Sequence, residues 1–256
     1  MPDRQKIMNN KHSNLPTEVS SIGKDALIII GMHRSGTSAT TGALQRLGVQ
    51  LGKKLYSGHK NINAKGYFEH SDIADTNDEL LLQLGSCWDD VLPKENSWWE
   101  REDLQPFSKK ISDYIDRDFS KSKFWAIKDP RVCRLLPLWL NILTKKGITP
   151  RFLFVVRSPD AVYQSLKKRD GFSREKSFML WVLHYLEAEL YSREYQRAFI
   201  SFDTFLEQPL ETLSFIEKAL DCEFPVPIKT ASDSINEFHF SVHLPRTPVF
   251  KFLRSI

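Results

Sequence analysis

Two stretches of the chain combine a strand-type apolar run with residue types that hold anions. In ALIIIGMHRSGTSATTGAL, the run Ala26 to Ile30 leads into a loop bounded by Gly31 and Gly36 and then into a helix start. The two glycines permit a tight turn, backbone amides converge on one point, and the helix end adds about half a positive charge there. Thr37 and Ser38 add hydroxyl donors, and Arg34 supplies a cation. In RFLFVVRSPDAVYQSLKKRDG, a second run ends in Arg157, with Ser158 placed to cap a helix and Pro159 at its first position. Ser165 follows two helical turns later, so a guanidinium and a hydroxyl can converge on one phosphate. Taken alone, Arg-Ser-Pro at a strand end equally suits a surface cap.

The first stretch fits the nucleotide-loop pattern Gly-x4-Gly-Lys-Ser/Thr at Gly31, Gly36, Thr37 and Ser38, but no lysine is present. His33-Arg34-Ser35-Gly36-Thr37-Ser38 resembles the 5'-phosphosulfate loop of the sulfotransferases, which has Lys or Arg where this chain has Arg34. The Arg157-to-Ser165 stretch is similar to that family's 3'-phosphate motif. Ile127-Lys128-Asp129-Pro130 resembles the Lys-Asp-Pro element of tyrosylprotein sulfotransferases, and ISFDTFLEQPLETLSFIEKAL resembles the family's strand, acidic turn, Pro and helix. The resemblance spans Ala26 to Leu220. No Arg-Lys-Gly loop follows, and Arg246 and Lys251 are the candidates to replace it.

This resemblance implies 3'-phosphoadenosine 5'-phosphosulfate (PAPS) as donor and adenosine 3',5'-bisphosphate (PAP) as product. His33, Arg34, Ser35, Gly36, Thr37, Ser38, Arg157 and Ser165 would hold the donor. It implies a hydroxyl acceptor, less readily an amine, on a small molecule or carbohydrate, with Arg34 and Lys128 opposing charge on the leaving group. Glu69 is the base, because several branches of the family use a glutamate after the 5' loop; His33, His59, His70 and Asp129 compete. A donor with one phosphate and one sulfuryl group needs no bridging metal, so no metal is expected. His184 reads as packing. Arg131 and Arg134 read either as neutralising donor or acceptor oxygens or as surface charge at a helix start, and Trp88, Trp98 and Trp99 as pocket lining or core.

The elements that must position these groups alternate short strands with amphipathic segments, the pattern of an α/β, P-loop-type parallel sheet with helices on both faces and one domain. Strands are expected at Ala26–Ile30, Phe124–Lys128, Phe152–Val156 and Ala198–Phe202, all buried inside the sheet. Helices are expected at Gly36–Leu47, Asn77–Leu84, Arg134–Lys145 with Pro137 in its first turn, Pro159–Lys168, Ser177–Tyr195 and Leu210–Leu220. The fifth would bury Phe178, Trp181, Val182, Tyr185, Leu186 and Leu190. The polar residues 1–24 form a flexible tail, and 25–256 the domain.

Apolar runs are strand-sized, excluding a helical membrane span, and the tail has no apolar core of signal-peptide type; a cytoplasmic protein is expected. Cys87, Cys133 and Cys222 suggest neither disulfides nor zinc, but buried or half-buried thiols. A net charge of +4 without a dense basic tract excludes nucleic acid as partner and suits a small anion. Two other readings survive: a P-loop nucleotide kinase or NTPase using Asp129 on a metal, and a nucleotide-binding module without catalysis.

Overall fold

A computed structural model describes residues 25–57 and 66–243. The proposed tail and His59, Arg246 and Lys251 lie outside the described residues. Four strands, β1 (Asp25–Ile30), β2 (Phe124–Lys128), β3 (Pro150–Val156) and β4 (Arg197–Ser201), form one parallel sheet in the order β2-β1-β3-β4. Nine helices are described: α1 (Thr37–Arg46), α2 (Ser71–Gln83), α3 (Gln105–Phe119), α4 (Val132–Lys145), α5 (Pro159–Asp170), α6 (Arg174–Ser192), α7 (Phe202–Glu207), α8 (Pro209–Leu220) and α9 (Ile228–His243).

Strand residues alternate between two cores, as a pleated sheet requires. Ala26, Ile28 and Ile30 pack with Trp125, Phe152 and Phe154 under α2 to α6. Leu27 and Ile29 pack with Phe124, Leu153 and Val155 under α1, α8 and α9. Helices therefore cover both faces, as the sequence pattern requires. The helix after β1 lies on one face and the helix after β3 on the other, so a crevice opens between the carboxyl ends of these neighbours. In open α/β sheets this reversal is where ligands bind.

Several expectations need correction. β4 is an edge whose outward residues are exposed, Phe199 by 47%. β2 is also an edge yet wholly buried, because Gln50 bonds to Phe124 and Ala126 along it and Phe119 stacks on Trp125. α4 starts two residues before Arg134, which puts Pro137 inside the helix rather than in its first turn. On α6 the expected stripe is only partly the buried face: Tyr185 is buried and Trp181 packs on the core, but Val182, Leu186 and Leu190 are exposed, while Ser177, Leu180, His184 and Ala188 are buried instead. Small residues there let α4 and α5 approach closely, so packing distance overrides the hydrophobic pattern. α2 extends further toward its N-terminus than the pattern at Asn77 suggests, and α3, α7 and α9 have no counterpart among the expected helices. Cys87 is exposed, unlike buried Cys133 and half-buried Cys222.

Candidate functional site

The loop after β1 turns back through Ser35, whose amide bonds to the Met32 carbonyl (3.1 Å), and through two left-handed residues, Arg34 (φ 69°) and Gly36 (φ 91°). At Gly36 the requirement is steric as well, since a Cβ there would sit 2.1 Å from the Phe202 ring. The Gly36 carbonyl accepts from the Thr40 amide (3.1 Å), so α1 begins with its first amides aimed at the crevice. Ser38 does not supply a free hydroxyl: it donates to the Tyr67 carbonyl (3.2 Å). The Thr37 methyl faces Gly31, where a Cβ would come within 2.6 Å of it.

The two motifs, separated by more than a hundred residues, meet here. Arg34 Nε donates to Ser165 Oγ at 2.7 Å, and Arg157 Nη1 donates to the Arg34 carbonyl at 3.0 Å. Trp181 holds the Arg157 carbonyl (3.0 Å), while Arg157 lies over the Phe202 ring. Arg157 Nε is buried without a hydrogen-bond partner. Among the described residues no ion pair reaches either guanidinium. Burial, followed by the charges of Arg169 and Arg157, holds Arg34 below the ordinary arginine value. The crevice is electropositive: the Asp170 charge opposes this only in part, and among the described residues no carboxylate is bonded to either guanidinium.

The end of β2 is built differently. Lys128 Nζ donates to Glu69 Oε1 (2.6 Å) and to the Tyr67 carbonyl (2.7 Å), with both side chains less than a tenth exposed. Neither residue is on the surface. The Tyr67 carbonyl, accepting from Ser38 and Lys128, ties this corner to the phosphate loop. Asp129 is fully engaged: one oxygen takes the Arg131 amide and Nη1, and the other takes Asn77 Nδ2 (2.8 Å), while Asn77 Oδ1 accepts from Trp139. Arg131 also pairs with Asp78 and lies 3.6 Å from Glu69. Burial lowers the Arg131 value, but Asp129, Asp78 and Glu69 outweigh it and hold the guanidinium firmly charged.

These contacts reduce the field of bases. His70 accepts the Ile73 amide at Nδ1 as the cap of α2 and meets Asp118 at Nε2 (2.6 Å), so both ring nitrogens serve the fold. Both Asp129 oxygens are already engaged, by Arg131 and by Asn77, which makes it the weaker candidate for a proton. Glu69 and His33 remain beside the crevice. Burial and then the charges of Arg131, His184, Arg169 and Lys128 keep His33 neutral, well below the usual histidine value.

Arg134 is not surface charge: buried at 3% exposure, it binds Glu187 (2.7 Å) and the carbonyls of Asp90 and Leu92. Trp98 packs in the core and Trp99 against Tyr191, whereas Trp88 lies on His33 at 4.4 Å. Sequence reasoning missed the Tyr67 carbonyl, Asn77, Lys94 and Glu187. Each acts through tertiary contact, with no local pattern to mark it. Among the described residues, no cluster of His, Cys, Asp and Glu could hold a metal, and no helix is long and apolar enough to cross a membrane.

No protein-family model and no curated protein matches the chain. Among solved structures it is similar to the sulfotransferase domain from the Synechococcus PCC 7002 olefin synthase, at 15% identity over 84% of this chain and 78% of that one (TM-score 0.48). It is similar also to sulfotransferase STF9 from Mycobacterium avium, at 11% identity over 94% and 71% (TM-score 0.48). A third, the sulfotransferase domain from the curacin biosynthetic pathway, has 14% identity over 83% and 76% (TM-score 0.40). These likenesses are too distant to carry an argument, and the function must be read from the site itself.

Proposed function

We propose that the protein is a sulfotransferase that moves the sulfuryl group of PAPS to a hydroxyl, or less readily an amine, of a small molecule or carbohydrate. The observation that carries this reading is the pair Arg34 and Arg157, bonded among the described residues to neutral oxygens at the β1–β3 crevice beside a helix N-terminus. A nucleotide anion supplies the charge they lack. Arg157 and Ser165 take the 3'-phosphate. The amides at the start of α1, with Arg34 and the loop backbone from His33 to Ser38, take the 5' end. The loop has no lysine, and both Asp129 oxygens are engaged by Arg131 and Asn77, which is unfavourable to a metal-dependent kinase.

In the reaction, the acceptor oxygen bonds to sulfur as the bond from sulfur to the 5'-phosphate oxygen breaks, and the electron pair leaves with the phosphate. Arg34 and Lys128 oppose that developing charge. The acceptor proton goes to Glu69. Taking up a proton ends the carboxylate's attraction for Lys128, so the ammonium is released when the leaving oxygen needs it. The Glu69–Lys128 contact thus couples base to electrophile.

Thermal stabilisation tests the donor. Excess PAP should raise the unfolding temperature, and ATP with magnesium should raise it less at equal concentration. Stabilisation by magnesium ATP alone would reject PAPS as the donor.

A further inference from the structure

Behind the phosphate loop, three buried nitrogens lack hydrogen-bond partners: His33 Nε2, His184 Nε2 and Lys94 Nζ. Buried polar atoms without partners are rare, and each costs free energy unless something absent from the bare chain meets it. They share one neighbourhood. The His33 and His184 rings lie edge to face at 6.4 Å between centroids. Glu187 lies one turn beyond His184 on α6, and Lys94 Nζ is 4.0 Å from Glu187 Oε2, so Lys94 covers the same turn. That oxygen is already taken by Arg134 at 2.7 Å. Arg134 also holds the Asp90 and Leu92 carbonyls, fixing the segment that brings Trp88 onto His33 and Lys94 beside Glu187.

The chemistry of the missing group follows from what each nitrogen offers. Lys94 brings donors only. His184 Nδ1 is bonded to the Leu180 carbonyl (2.7 Å) and must donate there, which leaves Nε2 as an acceptor. A carboxylate suits Lys94 but repels the His184 lone pair, and an amine does the reverse. A hydroxyl satisfies both, accepting from Lys94 and donating to His184. A second hydroxyl meets His33, the residue next to Arg34.

We propose that Lys94, His184 and His33 form the acceptor subsite, and that it takes two hydroxyls of a polyol or sugar ring. This rests on the sulfotransfer reading and narrows its acceptor to a hydroxyl-rich one.

The test uses the full chain saturated with PAP, with myo-inositol as probe and p-nitrophenol as contrast. Inositol should move the nitrogen-15 resonance of His184 Nε2, and Lys94→Met should weaken inositol binding about tenfold or more while PAP stabilisation is kept. His184→Gln, which keeps an acceptor atom, should bind inositol more tightly than His184→Leu. The proposal is overturned if inositol leaves the resonance unmoved, as a permanently bound water would require, or if p-nitrophenol alone moves it. It is equally overturned if Lys94→Met, folded and binding PAP, binds inositol as the parent does. Loss of PAP stabilisation in the parent chain, with inositol still moving the resonance, would strike the donor reading and leave this subsite standing.

Discussion

The end of β2 and the crevice between β1 and β3 lie on the same edge of the sheet, but they treat charge in opposite ways. At β2, Lys128 and Arg131 face Glu69, Asp129 and Asp78, and the buried cations are matched within the chain. At the crevice, Arg34 and Arg157 have, among the described residues, a hydroxyl and a carbonyl. A matched corner stabilises the fold and can hand over one ion when its partner is protonated. An unmatched corner stabilises little until an anion arrives. The difference separates residues that hold the site together from residues that wait for a ligand.

Breaking the matched corner should cost the most. Asp129→Ala leaves the Arg131 guanidinium and the Asn77 amide partly unpaired in the interior, and stability should fall by about 3 to 5 kcal/mol in urea unfolding. A loss under 1 kcal/mol would mean that Asp129 is not the anchor of this corner. Glu69→Gln should come next, with turnover of sulfated product down about 100-fold or more and PAP binding spared. Rates close to the parent's would move the proton to His33. At the unmatched corner, Arg157→Ala should weaken PAP by about 1.5 to 3 kcal/mol by calorimetry, the worth of a charged hydrogen bond, while ligand-free stability barely changes. Unaltered PAP affinity would remove Arg157 from the donor site.

The unmatched corner was the more legible half in sequence. Its residues sit in local motifs: a glycine-bounded loop after a strand, and an Arg-to-Ser spacing across a strand–helix junction. Both are set by backbone geometry, which local sequence controls. The four strands were legible for the same reason, since their apolar runs are short and bounded. The matched corner was only half legible. Lys128 stood out at a strand end and Glu69 followed a glycine, but nothing local predicts that they touch, or that Asn77 occupies Asp129. The stripe of α6 misled because Ser177 and Ala188 are buried for their small size, which hydropathy does not register. Lys94 and His184 carried no signal, as their significance is one buried nitrogen each without a hydrogen bond, which only three dimensions show.

The smallest effect, taken per pH unit, concerns the two histidines whose Nε2 atoms lack hydrogen bonds, and its sign follows from proton counting. Burial, then the charges of Arg134 and Lys94, pulls His184 down to about 3, against the Leu180 contact that raises it. Between an unfolded value near 6.5 and that folded value, the unfolded chain binds a proton that the native chain refuses. Stability from this group is therefore complete above about pH 6.5 and declines as the pH falls toward 3. His33 is shifted the same way and adds to the slope. Lys94, drawn down to about 8 chiefly by burial, works in another window: its native ammonium is strained below pH 8, and stability rises as pH climbs from 8 toward 10.5. Urea unfolding across pH 4 to 6 should show a difference between the parent and His184→Gln that steepens by about 1.4 kcal/mol per pH unit, one proton's worth. Carboxylates such as Asp118 lose stability over an overlapping range in both proteins, so subtraction removes them. Parallel curves would mean that His184 accepts a proton in the folded state, and an imidazole that does so cannot be the neutral acceptor that the cluster behind the loop requires.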